Sequence, residues 1–80
     1  MQTVPDGRPP ELARRVLLAL GHPPALLRVQ AHHLWESSFR VNVFVGASAT
    51  LASVAHSFFV EAGEDGTVLL ASPPLMRRYA

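Results

Sequence analysis

The apolar residues of this chain change their period at Pro23-Pro24, and that change dictates most of the fold. Before the two prolines, the segment PPELARRVLLALG repeats apolar residues at intervals of three and four, namely at Leu12, Val16, Ala19 and Leu20. That spacing predicts one apolar stripe of an amphipathic helix. After the prolines the interval becomes two, which is the period of a β-strand with one buried face. A helix followed by strands is therefore expected.

Local signals place the ends of the helix at about residues 9 and 20. Pro9 and Pro10 suit a first helical turn, where a missing N–H is harmless. Glu11 near that end complements the positive pole of the helix dipole. Gly21 provides a C-terminal stop.

Two alternating stretches, 27–33 and 39–45, predict the first β-hairpin. With residues 36–38 as its loop, the predicted cross-strand pairs are Phe39 with Trp35, Val41 with His33, and Val43 with Ala31. This register keeps the apolar residues of both strands on one face, as register selection requires. Arg28 and Phe44 then lie on the opposite face.

The second hairpin is centred on the turn sequence GEDG, in which Gly66 can adopt a positive φ. Residues 47–53 are compatible with either a loop or a short helical turn, and we favour the loop. A third strand is expected to start near Ser53. The inner residues of this hairpin are expected to be Val54, His56, Phe58, Val60, Val68 and Leu70. Phe59 and Leu69 face each other on the outer side, with Ala71 also expected there, and Ser72-Pro73-Pro74 ends the fourth strand.

The predicted fold class is α+β, with one N-terminal helix packed on a four-stranded antiparallel sheet made of two hairpins. Residues 1–8 are expected to form a flexible tail, 9–74 a single domain, and 75–80 a basic C-terminal tail. Strand order stays open, because two hairpins can be arranged in more than one way.

Composition narrows the classes of function. The chain has no cysteine to form a disulfide or a thiolate metal site, and its net charge of +1 creates no field for nucleic acid or an anionic membrane. No apolar run approaches the roughly 20 residues that span a bilayer. The first residues lack the pattern of a signal peptide, so the cytoplasm is the expected location. All seven basic residues are arginine and isoleucine is absent, which indicates a G/C-rich, bacterial genome.

Three apolar residues on the predicted outer face, Phe44, Phe59 and Leu69, need an explanation. The favoured one is a homodimer interface on that face of the sheet. Alternatively, the C-terminal residues Leu75, Met76 and Tyr79 fold back over it. The main functional prediction is therefore a non-enzymatic protein that acts by association with a second copy of itself.

Residues that could carry chemistry do not converge in the predicted strands. His32 and His33 are consecutive and point to opposite faces, so they cannot share a metal ion. Ser57 and His56 diverge for the same reason, which disfavours a catalytic pair. We therefore expect no enzyme activity, no cofactor and no metal. His33 and His56 share the inner face, which leaves a ligand site between helix and sheet as a third possibility.

The second functional alternative is a nucleic-acid-binding module. Arg28 and Arg40 share the predicted outer face with Phe44, and bases stack on rings while phosphates bind arginine. Arg77 and Arg78 in the C-terminal tail could add to this surface, although a solvated tail explains them as well.

Overall fold

The computed structural model describes residues 7–79 of the chain. In chain order its elements are α1 (Arg8–Leu20), β1 (Leu26–Trp35), β2 (Ser38–Gly46), a single 3-10 turn (Ala49–Leu51), β3 (Ala52–Ala62) and β4 (Val68–Ser72). The four strands form one antiparallel sheet in the order β1-β2-β3-β4. The prediction of an α+β fold with two hairpins is therefore confirmed. Most of the predicted N-terminal tail, residues 1–6, lies outside the described residues, as does Ala80.

The helix α1 is supported at its N-terminal end by proline and charge rather than by a side-chain cap. Gly7 at the N-cap position makes no capping hydrogen bond, and proline occupies the first turn. The Glu11 carboxylate accepts hydrogen bonds from Arg14 at 2.5 Å and from Arg15 at 2.6 Å. The hydrogen bond from Arg14, and then that from Arg15, lowers the pKa of Glu11 below its ordinary value of 4.5.

The core lies between α1 and one face of the sheet, called here the inner face. Its buried apolar residues come from one stripe of the helix and from the two central strands: Leu12, Val16, Leu20, Phe39, Val41, Val43, Phe58, Val60 and Ala62. Fully burying a large apolar side chain contributes about 1.5–3 kcal/mol, so this set is the main source of stability. The helix packs chiefly over β1 and then over β2.

The first hairpin closes with a shorter turn than the sequence pattern predicts. Phe39 pairs with His33, and Val41 pairs with Ala31, so the predicted pairing of Phe39 with Trp35 is wrong by two residues. The turn is tight because Glu36 adopts a positive φ of 46°. Side chains alternate between the two faces of a strand, so a pairing that is shifted by two residues leaves each side chain on its predicted face. The predicted inner residues of β2, namely Phe39, Val41 and Val43, are therefore buried despite the error in pairing.

Register shifts in the ladder leave one extra residue unpaired at four places, at Leu27 and Leu34 in β1, Ala55 in β3 and Leu69 in β4. Such a bulge reverses the faces of the residues beyond it. Leu26, rather than the predicted Leu27, therefore packs against the core.

The same effect makes three further face predictions wrong. Val54 pairs with Phe44 and lies on the outer face, although alternation places it inside. Leu70 pairs with Glu61 and also lies outside. Ala71 pairs with Val60 and packs against the core instead of facing outward. Alternation of residue types cannot show where an extra residue is inserted, so these errors share one cause.

The connections that follow β2 and β3 are short and locally hydrogen-bonded. In the GEDG turn the Gly63 N–H donates to the Thr67 carbonyl at 2.8 Å, and Gly66 has a φ of 85°. The Asp65 carboxylate accepts a hydrogen bond from the Thr67 N–H at 2.9 Å. Hydrogen bonding with Thr67 lowers the pKa of Asp65. Between β2 and β3, where the sequence allowed either a loop or a helical turn, the structure has the single 3-10 turn.

Residues 73–79, called here the C-terminal segment, pack on the helix side of the sheet. Leu75 and Tyr79 contact the core, and the N–H groups of Arg78 and Tyr79 both donate to the Leu20 carbonyl, at 2.8 and 3.1 Å. This contact satisfies a carbonyl at the end of α1 that has no partner within the helix. The segment expected to be a solvated tail therefore closes the helix end and belongs to the same layer as α1.

Candidate interaction surface

The outer face is the side of the sheet opposite α1. Cross-strand pairing and the bulges give it these members: Arg28, Gln30, His32, Trp35, Ser38, Arg40, Asn42, Phe44, Val54, Ser57, Phe59, Glu61, Leu70 and Ser72. The bulge residue Leu27 adjoins Arg28 and Phe44 at one end of this face. Both the helix and the two apolar anchors of the C-terminal segment pack on the other side. Within residues 7–79 no element forms a layer over this face. The alternative in which the C-terminal residues cover the outer aromatic rings is therefore wrong for Leu75 and Tyr79.

One end of the outer face carries the tryptophan patch, formed by Trp35, Phe59 and Leu70. The rings of Trp35 and Phe59 lie 6.1 Å apart between centroids and are tilted by 41°. Trp35 reaches this position because the bulge at Leu34 moves it to the outer side, where it pairs with Ser38. Trp35 is 59% exposed and Leu70 is 51% exposed, so this patch places large apolar groups in water.

The other end carries the Phe44 patch, formed by Leu27, Phe44 and Val54. The Arg28 guanidinium lies over the Phe44 ring, 4.6 Å from its centroid, which is a cation–π contact. A small groove of about 190 Å³ adjoins the ring, lined by Leu27, Arg28, Phe44, Ala49 and Ala52. Phe44 is half-buried, whereas Val54 beside it is 50% exposed.

A polar stripe separates the two apolar patches and consists of Gln30, Asn42 and Ser57. The Ser57 hydroxyl donates to Asn42 Oδ1 at 2.6 Å, and Arg40 Nη1 lies 3.5 Å from Ser57 Oγ. Because Asn42 and Ser57 are already hydrogen-bonded to each other, covering them costs less free energy than covering unpaired groups. The stripe can therefore lie within an interface.

The structure separates the three residues predicted to form one apolar cluster. Phe44 and Phe59 both lie on the outer face, but Phe59 pairs with Arg40, four residues before Phe44 on β2. Four residues of strand span about 13 Å. Leu69 does not face Phe59, because it is the unpaired bulge residue of β4, where it is 68% exposed. Ser72 occupies the position opposite Phe59 instead.

Sequence reasoning missed Trp35, Val54 and Leu70 as outer-face residues. Two of them follow another apolar residue directly, in Leu34-Trp35 and Leu69-Leu70, and both pairs interrupt the alternation of their strands. Such an interruption is the one sequence signal consistent with an inserted residue. Val54 has no comparable signal.

The four arginines considered for nucleic-acid contact do not form one surface. Arg28 and Arg40 lie on the outer face. Arg78 is held through its backbone at the end of α1, in the layer on the opposite side of the sheet, and Arg77 precedes it in the same segment. Both C-terminal arginines are exposed.

The two inner-face histidines lie apart from each other. His33 Nε2 is 2.7 Å from the Glu36 carbonyl, and its ring contacts Phe39. His56 pairs with Val43, four residues from Phe39 along β2, and its Nε2 is 2.7 Å from the Tyr79 hydroxyl. This separation of about 13 Å along the strand does not favour a shared small ligand. No three metal-ligating side chains come together in residues 7–79.

No helix in the described part of the chain has the length and hydrophobicity needed to cross a bilayer. Comparisons of the chain with protein-family models, with curated proteins and with solved structures give no match, so the geometry of the outer face is the basis for inferring a function.

Proposed function

We propose that this protein acts by association, and that its outer face binds the outer face of a second copy. The observation that carries the proposal is the exposure of Trp35, Leu70 and Val54 on a side of the sheet that no described element covers. Each large apolar side chain withdrawn from water contributes about 1.5–3 kcal/mol. Several such residues per subunit offset part of the entropy lost when two molecules associate.

The order of the strands allows the outer face to complement itself. A two-fold axis parallel to the strands, between β2 and β3, places β1 over the partner's β4 and β2 over the partner's β3. Trp35 then meets Leu70 of the partner subunit, and Phe44 meets Val54 of the partner subunit. Apolar residues cover apolar residues at both ends, as two sheets in a sandwich require.

Charge is also complementary in this arrangement. Arg40 lies over Phe59 of the partner subunit, with Glu61 of the partner subunit two residues further along the same strand. Two residues of strand cover about 7 Å, which an arginine side chain can span. The two-fold axis repeats this contact, so the proposed dimer contains two equivalent ion pairs, each between Arg40 of one subunit and Glu61 of the other. These pairs favour the proposed orientation over one that brings the arginines together.

Sedimentation velocity over a range of protein concentrations tests the proposal. We expect the sedimentation coefficient to rise from the monomer to the dimer value with concentration. Leu70→Glu should hold the protein at the monomer value, whereas Leu18→Glu, an equivalent change on the exposed side of α1, should not. A wild-type protein that stays monomeric at high micromolar concentration, or equal dimerisation of both variants, would show the proposal to be wrong.

A second candidate function is binding of single-stranded nucleic acid to the same face. It is favoured by the approach of Arg28 to the Phe44 ring and by the position of Arg40 beside Phe59. Filter binding at two salt concentrations separates the candidates, because a nucleic-acid complex is retained on the filter and weakens as salt rises, whereas a dimer alone retains no nucleic acid. Salt-sensitive binding that is lost in Arg28→Ala and Arg40→Ala would support this candidate.

A further inference from the structure

A groove runs along the free edge of β1, on the side where α1 overlies it. This edge groove is about 310 Å³ in volume and is lined by Pro9, Pro10, Ala13, Val29, Gln30 and Ala31. Val29 and Ala31 belong to the inner face, whereas Gln30 belongs to the outer face. The groove therefore borders the edge backbone itself, between the first turns of the helix and the middle of the strand.

The two edges of the sheet differ in how well they resist pairing with another strand. β4 has only five residues and is followed directly by Pro73-Pro74. A short edge strand and prolines beside it each hinder pairing with another strand. β1 has ten residues, contains no proline, and is regular between its bulges at Leu27 and Leu34. Along its regular stretch, residues 28–33, every second residue directs its backbone N–H and C=O away from β2, where no other strand of the described chain pairs with them.

We propose that β1 binds an extended peptide segment of another protein as a fifth strand of the sheet. Backbone hydrogen bonds to residues 28–33 supply the pairing, and alternate side chains supply the specificity. Inward side chains of the peptide enter the edge groove against Ala13 and Val29, so they must be apolar. Outward side chains lie beside Arg28 and His32, so they must be acidic. The partner is an extended segment of about six residues that alternates apolar and acidic side chains.

Charge argues against a second copy of β1 as the occupant. The regular part of β1 carries one charged residue, Arg28, together with His32 and His33, and it has no carboxylate. Antiparallel pairing of two β1 strands would leave Arg28 of each copy with no carboxylate on the neighbouring strand. Opposite charges on adjacent strands are stabilising. An acidic peptide supplies the carboxylate that a second β1 lacks.

Selection from a random octapeptide library displayed on phage, against the immobilised full chain, tests this inference. We expect the enriched peptides to alternate apolar and acidic residues. When a synthetic enriched peptide is titrated into ¹⁵N-labelled protein, the amide shifts should concentrate in residues 11–13 and 28–33. Ala13→Arg should weaken binding about tenfold, because the new side chain fills the groove that the apolar side chains of the peptide would enter.

The matched control is Ala19→Arg, which adds the same side chain to an exposed position of α1 outside the edge groove. It should bind the peptide as the wild type does, as should Leu70→Glu, because the edge groove is separate from the tryptophan patch. Dimerisation and peptide binding can therefore fail independently.

With the full chain, four outcomes would overturn the inference. They are the absence of enrichment, enrichment of basic peptides, equal binding by Ala13→Arg, and displacement of the peptide by a synthetic copy of residues 27–34, which would indicate self-pairing. If only a chain without residues 1–6 captured peptides, the groove would serve the protein's own N-terminus, and the inference would again be wrong.

Discussion

The Tyr79 hydroxyl lies 2.7 Å from Nε2 of His56, and this contact joins the C-terminal segment to the third strand. The two rings also meet edge to face, with centroids 5.7 Å apart and planes at 80°. Both side chains are half-buried, so the hydrogen bond is partly shielded from water.

Tyr79→Phe removes that hydrogen bond and keeps the ring. We expect the free energy of unfolding to fall by about 0.5–1.5 kcal/mol, as for a typical intramolecular hydrogen bond. Urea denaturation measures the change. The same substitution in a His56→Ala background should cost markedly less, because the hydroxyl then has no partner to lose. Equal costs in both backgrounds would mean that the pair contributes nothing specific.

Gly21→Ala should destabilise the protein through the same segment. Gly21 has a φ of 92°, and a Cβ atom there would lie 2.1 Å from the Tyr79 carbonyl oxygen. We expect a loss of about 1–3 kcal/mol from backbone strain and from displacement of the segment. The matched control is Gly7→Ala, where a Cβ atom meets no heavy atom within 4 Å. Thermal unfolding of the two variants should therefore differ clearly, and similar melting temperatures would contradict this prediction.

Stability should fall on acidification, partly because of Glu11. Hydrogen bonds from Arg14 and then from Arg15 lower the pKa of Glu11 in the folded state. At a pH between the folded and the unfolded pKa, the Glu11 carboxyl therefore binds more protons in the unfolded chain than in the folded one, and this favours unfolding. The contribution of Glu11 is complete above its ordinary value of 4.5 and is lost as the pH falls through the lower, folded value.

Glu11→Gln should therefore show a shallower loss of stability at acidic pH than the wild type. Urea denaturation at a series of pH values from neutral to acidic measures this slope. Glu64→Gln, at an exposed turn position, is the control. A steeper acid dependence in Glu11→Gln would reverse the sign of the predicted linkage.

Trp35 is the single tryptophan of the chain, and it lies in the proposed dimer interface. At low concentration its fluorescence emission should be that of a ring largely in water, since the residue is 59% exposed. Emission should shift to shorter wavelength as concentration rises and the ring is covered by the partner.

The variant Arg40→Glu should abolish that shift, because it replaces the attraction between Arg40 and the nearby Glu61 of the partner subunit with repulsion between two carboxylates. The double change Arg40→Glu with Glu61→Arg should restore it, since the opposite charges are exchanged rather than removed. If the double variant behaves like Arg40→Glu, the proposed orientation of the two faces is wrong.

Sequence periodicity predicted the element order and the central core because both depend on local patterns. The helical stripe placed Leu12, Val16 and Leu20 in the core, although Ala19, predicted in the same stripe, is exposed. The alternation in residues 39–45 is unbroken, so the face of Val41 followed directly. The pairing of the hairpins did not follow, because the turn at Glu36 requires a positive φ that no residue type there signals. Periodicity fixes the face of a residue only up to the next bulge.

The outer face was harder to predict, because its composition depends on the bulges. Phe44 and Phe59 were placed correctly, since no extra residue intervenes between them and the core of their strands. Trp35 and Leu70 reach the face only through inserted residues. The position of Tyr79 depends on a hydrogen bond to Leu20, the last residue of α1, which is distant in sequence. No local pattern encodes such a contact.

The hydrogen bonds from Arg78 and Tyr79 to Leu20 have a consequence for how the protein is made. During translation the helix and the first hairpin can assemble as soon as they leave the ribosome, because their contacts are close in sequence. The end of the helix and the half of the sheet near Tyr79 stay open until residue 79 has emerged. A nascent chain stalled before that point would expose this unfinished side to chaperones and proteases.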